Sequence, residues 1–191
     1  VWKELDLDFV LGDFANLLAE SLSGADRVGR IVADLKGFSN VDRTEEALVD
    51  LNDNLAAARN VVAPQFQGRA TIELDLQPLP RLLCLPGHLN QVFLNLLLNA
   101  AQAVAPPQGK IVVRSRVADN EIRVQVADNG GGIPQENLGR VFDPFFTTRD
   151  VGQGTGLGLT VARDIVEAHG GRIEIESRVG TGTTVTVHLP V

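Results

Sequence analysis

The segment from residue 86 to residue 104 constrains the fold most, because it is long enough for a helix and apolar nearly all round. Such a helix must lie in a core, and Pro86 occupies its first turn, where proline is tolerated. Yet Gln91, Asn95 and Asn99 recur every four residues and so share one face. Leaving these amides buried and unpaired would cost about 1–3 kcal/mol each. They must therefore meet either neighbouring backbone groups or a polar ligand with its metal.

The chain beyond residue 45 alternates between strand and helix patterns. The patterns predict strands at 49–51, 70–76, 82–85, 110–117, 121–127, 172–177 and 183–189, and helices at 52–66, 86–104 and 157–168. A loop from 129 to 156, rich in glycine and proline, has the length of a functional lid. Together these elements predict an α+β fold, with an antiparallel-rich sheet and helices on one of its faces.

Apolar residues in the first forty positions follow a different, heptad-like spacing. Leu7, Leu11, Phe14 and Leu18 begin a series with steps of four and three, and a second seven-residue series runs beside it. So wide a stripe predicts a long helix from an oligomeric four-helix bundle; a helix packed on its own domain is the alternative. Residues 39–45 are polar, which is typical of a linker. We therefore predict a partial helical domain at 1–44 and a second domain at 45–191.

Net charge and cysteine content exclude several classes of function. A formal net charge of −7 argues against a nucleic-acid or membrane-surface partner. Cys84 is the only cysteine, which excludes a disulfide framework and a cysteine-based metal site. No apolar run reaches the roughly 18 residues of a membrane span, so we expect a cytoplasmic domain. The chain starts at Val1 and contains no methionine, which favours a fragment of a longer protein whose membrane attachment stays open.

A glycine-rich stretch from Gly152 to Gly158 leads directly into a predicted helix. Backbone N–H groups at a helix N-terminus, together with the helix dipole, favour a phosphate or another anion. The stretch is not a Walker A loop, because no Lys-Ser or Lys-Thr follows its last glycine, and it is not a Rossmann turn, because a long loop precedes it. The spacing therefore predicts an anion site of a different kind.

Asp128 ends a predicted strand and is followed by Asn129 and three glycines. A carboxylate in that place can accept hydrogen bonds from an amine such as the exocyclic amine of adenine, and the glycines allow a ligand to approach the backbone closely. An ordinary turn is the alternative reading of Asp-Asn-Gly. Asp128, the polar helix face and the glycine-rich stretch are thus three elements that together predict one nucleotide site.

The order of these motifs resembles the catalytic ATP-binding domain of sensor histidine kinases, across about residues 45–191. The matching segments are Asn95-Leu96-Leu97-Leu98-Asn99-Ala100 (N box), Asp128-Asn129-Gly130-Gly131-Gly132-Ile133 (first glycine box), Phe142-Asp143-Pro144-Phe145-Phe146-Thr147-Thr148-Arg149 (F box), Gly154-Thr155-Gly156-Leu157-Gly158-Leu159 (second glycine box) and Gly180-Thr181-Gly182-Thr183. Residues 23–39 are similar to the second helix of the dimerisation and phosphotransfer hairpin. The helix that carries the phospho-accepting histidine is missing, and we interpret His88, His169 and His188 as structural or surface residues.

The resemblance implies a Bergerat-type ATP-binding two-layer α/β sandwich of the GHKL superfamily, with a mixed sheet and a preceding bundle helix. It implies that Asp128 binds the adenine amine with Thr183 nearby through water, that Asn99 coordinates Mg²⁺ between the phosphates, and that Arg149 neutralises phosphate charge. Phe142, Phe145 and Phe146 are expected to anchor the lid by apolar contacts. The residues expected at the nucleotide are Asn95, Asn99, Gln102, Asp128, Gly130, Gly132, Ile133, Arg149, Gly154, Thr155, Gly156, Leu157, Gly158, Leu159 and Thr183.

The same resemblance implies transfer of the ATP γ-phosphoryl group to a histidine outside this chain, with no catalytic residue inside it. The ATPase relatives need a glutamate where this chain has Asn95, which disfavours hydrolysis. The implied partners are the acceptor-histidine helix of the same or a sister protomer, a response regulator receiver domain and a second copy in a homodimer. A Bergerat-type ATPase and a nucleotide-binding pseudokinase are the alternatives.

Overall fold

The computed structural model of the protein describes residues 45–149 and 154–191. Of the first 44 residues it describes Asp13, Phe14, Leu17, Leu18, Ser21, Leu22 and Gly24, all of them helical. The rest of the predicted bundle helix, most of the linker, and Gly152 lie outside the described residues. The division into domains at 1–44 and 45–191 therefore stays a prediction.

Seven strands and four α-helices make up the described part beyond residue 45. The strands are β1 (Ala47–Val49), β2 (Ala70–Leu76), β3 (Leu82–Cys84), β4 (Gly109–Ala118), β5 (Glu121–Asp128), β6 (Arg172–Arg178) and β7 (Gly182–Pro190). The helices are α1 (Leu51–Val62), α2 (Pro86–Ala103), α3 (Gln135–Leu138) and α4 (Gly158–Ala168), with a 3₁₀ turn at Ala63–Phe66. No helix of this part is both long and apolar enough to cross a membrane.

Five strands form the main sheet in the order β2-β4-β5-β7-β6. β2 and β4 run parallel, while the remaining pairs are antiparallel. β1 and β3 form a separate antiparallel pair. Along β4 and β5 one face is buried beneath the helices and the other is more exposed. The predicted α+β fold, with a mixed sheet and helices on one side, is confirmed.

Helix α2 lies at the centre of the core, as its apolar composition predicts. Leu89, Val92, Phe93 and Leu97 are fully buried, and the helix packs against both α1 and α4. Close packing of such side chains supplies most of the stability that a helix of this kind has in a folded domain. The core therefore fixes α2, and with it the polar residues on its remaining face.

Two predicted boundaries near α1 are wrong, and local capping explains both. Residues 49–51 were predicted to be a strand, but Asp50 accepts a hydrogen bond from the backbone N–H of Asn52 at 2.9 Å and starts the helix at Leu51. The strand occupies 47–49 instead. The helix predicted to run to residue 66 becomes a 3₁₀ turn after Val62, because Pro64 lacks the N–H group that an α-helix needs.

The connecting turns follow from residues that tolerate left-handed backbone. Asp119 and Asn120 have φ angles of 54° and 61° and form the two-residue turn between β4 and β5. Helix α4 ends at Ala168, and the turn that follows it contains Gly170, whose φ is 72°. There the N–H of Gly171 donates to the carbonyl of Val166 at 2.9 Å, as in a Schellman motif.

Candidate functional site

A cavity of ≈ 490 Å³ lies between α2, the start of α4, the lid and the sheet. Its volume is in the range of small-molecule sites. The lining residues are Asn95, Leu96, Leu98, Asn99, Ala100, Gln102, Ala103, Val126, Asp128, Gly131, Gly132, Ile133, Val141, Phe146, Thr147, Thr148, Arg149, Gly154, Thr155, Gly156, Gly158, Leu159, Ile175, Thr183 and Val185. Of the residues predicted at the nucleotide, Gly130 and Leu157 do not line it; all the others do.

Asp128 lies at one end of the cavity, at the end of β5. Its Oδ1 accepts a hydrogen bond from the N–H of Gly130 at 2.8 Å, and the backbone of Thr183 also donates to the carboxylate. Burial raises the pKa of Asp128 above its ordinary value, while these two hydrogen bonds act in the opposite direction. The result is a half-buried carboxylate that faces the cavity and retains free acceptor capacity.

Three glycines hold backbone segments closer together at this end than any side chain would permit. A Cβ on Gly182 would lie 1.9 Å from the carbonyl oxygen of Asp128, and one on Gly132 would lie 2.2 Å from that of Arg178. A Cβ on Gly130 would lie 2.5 Å from the carbonyl oxygen of Ala103 at the end of α2. Gly130 thus fixes the loop against α2 although it does not line the cavity.

Asn95 and Asn99 line the cavity from α2 and lie beside Gly158 at the start of α4. Nδ2 of Asn95 donates to the carbonyl of Gly158 at 3.1 Å, which leaves its Oδ1 available. The side chain of Asn99 makes no hydrogen bond within the described part of the chain, and it lines the cavity. No group of three or more His, Cys, Asp or Glu suited to a metal occurs among the described residues. A metal here would therefore depend on amide oxygens and on a bound ligand.

The glycine-rich stretch enters α4 without a side-chain cap, because Leu157 is the N-cap residue. Leu157 itself is buried, with 7% of its surface exposed, and its N–H donates to the hydroxyl of Thr155 at 3.4 Å. The backbone N–H groups of the first helical turn have no partner within the helix. Those groups and the helix dipole make this end of the cavity suited to an anion.

Arg149 extends from the lid over the cavity to the end of α2. Its Nη2 donates to the carbonyl of Asn99 at 3.3 Å, and its Nη1 donates to Oε1 of Gln102. Burial lowers the pKa of Arg149, but a guanidinium stays charged in proteins. A fixed positive charge therefore lies beside Asn99 and the start of α4, where an anion would bind.

The prediction that three phenylalanines anchor the lid is wrong for Phe145. Its side chain is 70% exposed and its φ is 66°, in the left-handed region. The backbone makes the contact instead: the N–H of Phe145 donates to the carbonyl of Gly156 at 3.0 Å. Phe146 lines the cavity and lies under the guanidinium of Arg140, 4.6 Å from ring to charge centre. Phe142 is likewise covered by Arg163.

An apolar wall on the sheet was missed in the sequence. Val126, Val185 and Ile175 are paired in register across β5, β7 and β6 and line the cavity. They stand two residues along from Asp128 and Thr183, so they share the same face of the sheet. Strand alternation marks that face in the sequence, but only the pairing register brings the three side chains together under one ligand.

The three histidines have structural partners and none of them lines the cavity. His88 and His188 are each 5% exposed. Nε2 of His169 accepts from the N–H of Leu85 at 3.2 Å, and its Nδ1 lies 2.7 Å from the carbonyl of Ile165. His169 thus joins the end of α4 to the start of α2, in line with the structural role expected of these residues.

Comparison with known proteins places this arrangement among nucleotide-binding domains. Residues 84–191 match the family described as "Histidine kinase-, DNA gyrase B-, and HSP90-like ATPase". The sensor histidine kinase ZraS of Klebsiella oxytoca is 39% identical over 170 residues, which covers 87% of this chain and 36% of that protein. Sporulation kinase D of Bacillus subtilis (strain 168) is 43% identical over 124 residues, covering 63% of this chain and 24% of that kinase.

Solved structures agree with these sequence relationships. The catalytic domain of histidine kinase ThkA, in a nucleotide-free form, superposes with a TM-score of 0.69 at 31% identity, covering 77% of this chain and 96% of that domain. Full-length ShkA superposes with a TM-score of 0.75 over 93% of this chain and 38% of its own. At 24% identity, ShkA shows the shared fold alone. The chain thus spans the catalytic part of such proteins and little more than a third of the curated ZraS relative.

Proposed function

Because this chain belongs to the histidine kinase-, DNA gyrase B- and HSP90-like ATPase family, we propose that its cavity binds Mg²⁺-ATP and donates the γ-phosphoryl group to a histidine outside this chain. The observation that carries the proposal is the distribution of charge in the cavity. Among the described residues, its one carboxylate, Asp128, lines it from β5, while Asn99, Arg149 and the start of α4 line it from other elements. A nucleotide has the matching polarity, with an amine on its base and negative charge on its phosphates.

The base would lie against Asp128 and the apolar wall. The carboxylate accepts a hydrogen bond from the exocyclic amine of adenine, and Thr183, which is paired with Asp128 in register and also lines the cavity, lies beside it. The apolar wall defined above covers the face of the ring and removes it from water. Gly130 holds this end of the cavity against α2, and Gly132 holds it against the end of β6.

The phosphates would lie between α2, α4 and the lid. Asn99 supplies an amide oxygen for Mg²⁺, which commonly takes one or two protein ligands, substrate phosphates and water. When bound, the metal neutralises phosphate charge. Arg149 adds a positive charge, and the backbone N–H groups of Gly156, Gly158 and Leu159, which line the cavity, donate to phosphate oxygens. The surroundings of the phosphates are completed by Asn95, Gln102, Gly154 and Thr155.

Phosphoryl transfer fits the cavity better than hydrolysis does. Water attack needs a general base near the γ-phosphate, and the residue at the relevant turn of α2 is Asn95, an amide that cannot accept a proton in that way. Among the described lining residues Asp128 is the only carboxylate, and it lies at the base-binding end. Transfer to a protein histidine requires positioning and charge neutralisation from this chain and no internal base.

The acceptor and the onward signal would lie in other segments or proteins. The acceptor histidine would be on a helix of the same or a sister protomer, within a homodimeric two-component sensor kinase whose phosphoryl group passes to a response regulator receiver domain. This domain would lie in the cytoplasm. Support comes from the sensor kinases among the relatives, of which the chain covers only part.

The proposal is tested by mixing the chain with γ-labelled Mg²⁺-ATP and a separate helical-hairpin protein that bears the phospho-accepting histidine. Label on the hairpin that is labile to acid and stable to alkali supports a histidine kinase. A hairpin with that histidine replaced by glutamine is the control and must stay unlabelled. Steady phosphate release without labelled protein would favour an ATPase, and nucleotide binding without either reaction would favour a pseudokinase.

A further inference from the structure

Ser177 on β6 lies just behind the cavity, where its hydroxyl makes three hydrogen-bonding contacts. Its Oγ accepts from the N–H of Ile133 at 2.8 Å and donates to the carbonyl of Gly182 at 3.1 Å. It also lies 2.8 Å from Oγ1 of Thr183, where either hydroxyl can be the donor. Ser177 pairs in register with Thr183, which pairs in turn with Asp128. The three residues thus form one row across the sheet.

The number of protons in this row decides the direction of the Ser177–Thr183 bond. A serine hydroxyl has one proton to donate and two lone pairs that accept. Ser177 donates that proton in its hydrogen bond to the Gly182 carbonyl, and one of its lone pairs accepts the hydrogen bond from the Ile133 N–H. The three bonds exist together only if the Thr183 hydroxyl donates to the remaining lone pair of Ser177. Thr183 then has no proton for a ligand and presents only lone pairs to the cavity.

Asp128 beside Thr183 is an acceptor as well when it is ionised. Its carboxylate receives N–H groups from Gly130 and Thr183, and its remaining lone pairs face the cavity. Among the described residues, this end of the cavity therefore offers side-chain acceptors and no side-chain donor. An amino group, with two N–H bonds, satisfies such a surface, whereas a carbonyl oxygen in the same place finds no donor and is penalised.

We propose that Ser177 is a specificity-determining positioning residue, which holds the Thr183 hydroxyl as an acceptor and thereby selects purine nucleotides with a 6-amino group over those with a 6-oxo group. The inference rests on the proposed function, because it requires a purine base against Asp128. Ser177 acts through Thr183 and does not itself line the cavity.

The test compares the dissociation constants of the chain for Mg²⁺-ATP and Mg²⁺-ITP, measured by calorimetry. The two bases differ at position 6 and at the protonation of the adjacent ring nitrogen. Ser177→Ala releases the Thr183 proton, which can then donate to a 6-oxo group, so the Kd ratio of ITP to ATP should fall about tenfold. Ser177→Thr keeps the hydroxyl and should keep the wild-type ratio. A ratio that Ser177→Ala leaves within about twofold of wild type would overturn the inference.

A double-mutant cycle separates this role from a merely structural one. Thr183→Val removes the hydroxyl on which Ser177 acts, so adding Ser177→Ala to Thr183→Val should leave the ITP to ATP ratio unchanged. An equal fall of the ratio in both backgrounds would show that Ser177 acts through the Ile133 loop, against the proposal. If Ser177→Ala fails to fold by circular dichroism, Ser177→Cys replaces it, because a thiol is a weak acceptor of nearly the same shape.

The two proposals fail in different ways. If the wild-type chain binds neither nucleotide, the proposed ATP site is wrong and the specificity argument falls with it. If the wild type binds Mg²⁺-ATP while its preference over ITP does not depend on Ser177, the ATP site stands and the role of Ser177 alone is refuted.

Discussion

Thr183 lies directly opposite Asp128 across β7 and β5, and its backbone N–H donates to the Asp128 carboxylate. The glycine before it, Gly182, brings the two strands so close that a Cβ there would meet the carbonyl oxygen of Asp128. The sheet itself thus fixes the position of the carboxylate.

Asp128→Asn should raise the Kd for Mg²⁺-ATP about 10- to 100-fold, because a hydrogen bond to a charged acceptor contributes about 1.5–3 kcal/mol. Isothermal titration calorimetry measures the change. Asp75→Asn is the matched control, since Asp75 lies far along β2 in an exposed ion pair with Arg114, 3.5 Å apart. We expect the control to bind as the wild type does. Wild-type affinity in Asp128→Asn would refute the assignment of the adenine end.

The same substitution should alter stability in a pH-dependent way. Burial raises the pKa of Asp128 above its ordinary 3.8, so the folded state holds the proton more tightly than the unfolded state. The stability contributed by the protonated carboxyl is complete below 3.8 and is lost as the pH rises through the raised value. The melting temperature of the wild type minus that of Asp128→Asn should therefore fall across this window and then level off. Calorimetric scans from about pH 3.5 to about pH 7 measure it, and a difference that rises with pH would contradict it.

Asn99→Ala should remove the magnesium dependence of ATP binding. Asn99 supplies the protein's amide ligand in the proposal, and no cluster of carboxylates among the described residues replaces it. The ratio of Kd in EDTA to Kd in Mg²⁺ should fall towards one, while binding in EDTA changes by about twofold or less. Asn60→Ala, on the far helix α1, should keep the wild-type ratio. Full magnesium dependence of ATP binding in Asn99→Ala would show that another residue binds the metal.

Much of this site could be predicted from the sequence, because its main residues belong to periodic or glycine-marked segments. The polar line of Asn95 and Asn99 on an apolar helix and the glycines around Asp128 and Gly156 each indicate their own local geometry. The structure brings these segments to one cavity, as the motif order predicts. Local pattern was sufficient there because each motif requires its residue types for a local physical reason.

Pairing between distant strands was not predictable from the same patterns. Alternation shows which residues of a strand share a face, but not which residue of another strand lies opposite. The sequence therefore did not predict the row of Ser177, Thr183 and Asp128, and it did not predict the apolar wall. The exposure of Phe145 was not predicted either. Its left-handed backbone turns the side chain outward, and in this conformation its N–H is hydrogen-bonded to Gly156.

Gly182→Ala should destabilise the domain strongly, because its φ is +126° and an added Cβ would lie 1.9 Å from the carbonyl oxygen of Asp128. One strand must move away from the other, and we expect a loss of about 2–4 kcal/mol in the free energy of unfolding. Urea unfolding followed by circular dichroism measures the loss.

Gly139→Ala is the matched control for this substitution. An added Cβ there meets nothing within 4 Å, and its φ of −68° is ordinary for alanine. Fewer conformations in the unfolded chain should make this variant about 0.4–1 kcal/mol more stable. The two alanines thus shift stability in opposite directions. Equal effects at the two positions would show that the close approach of β7 to Asp128 does not limit the residue at 182.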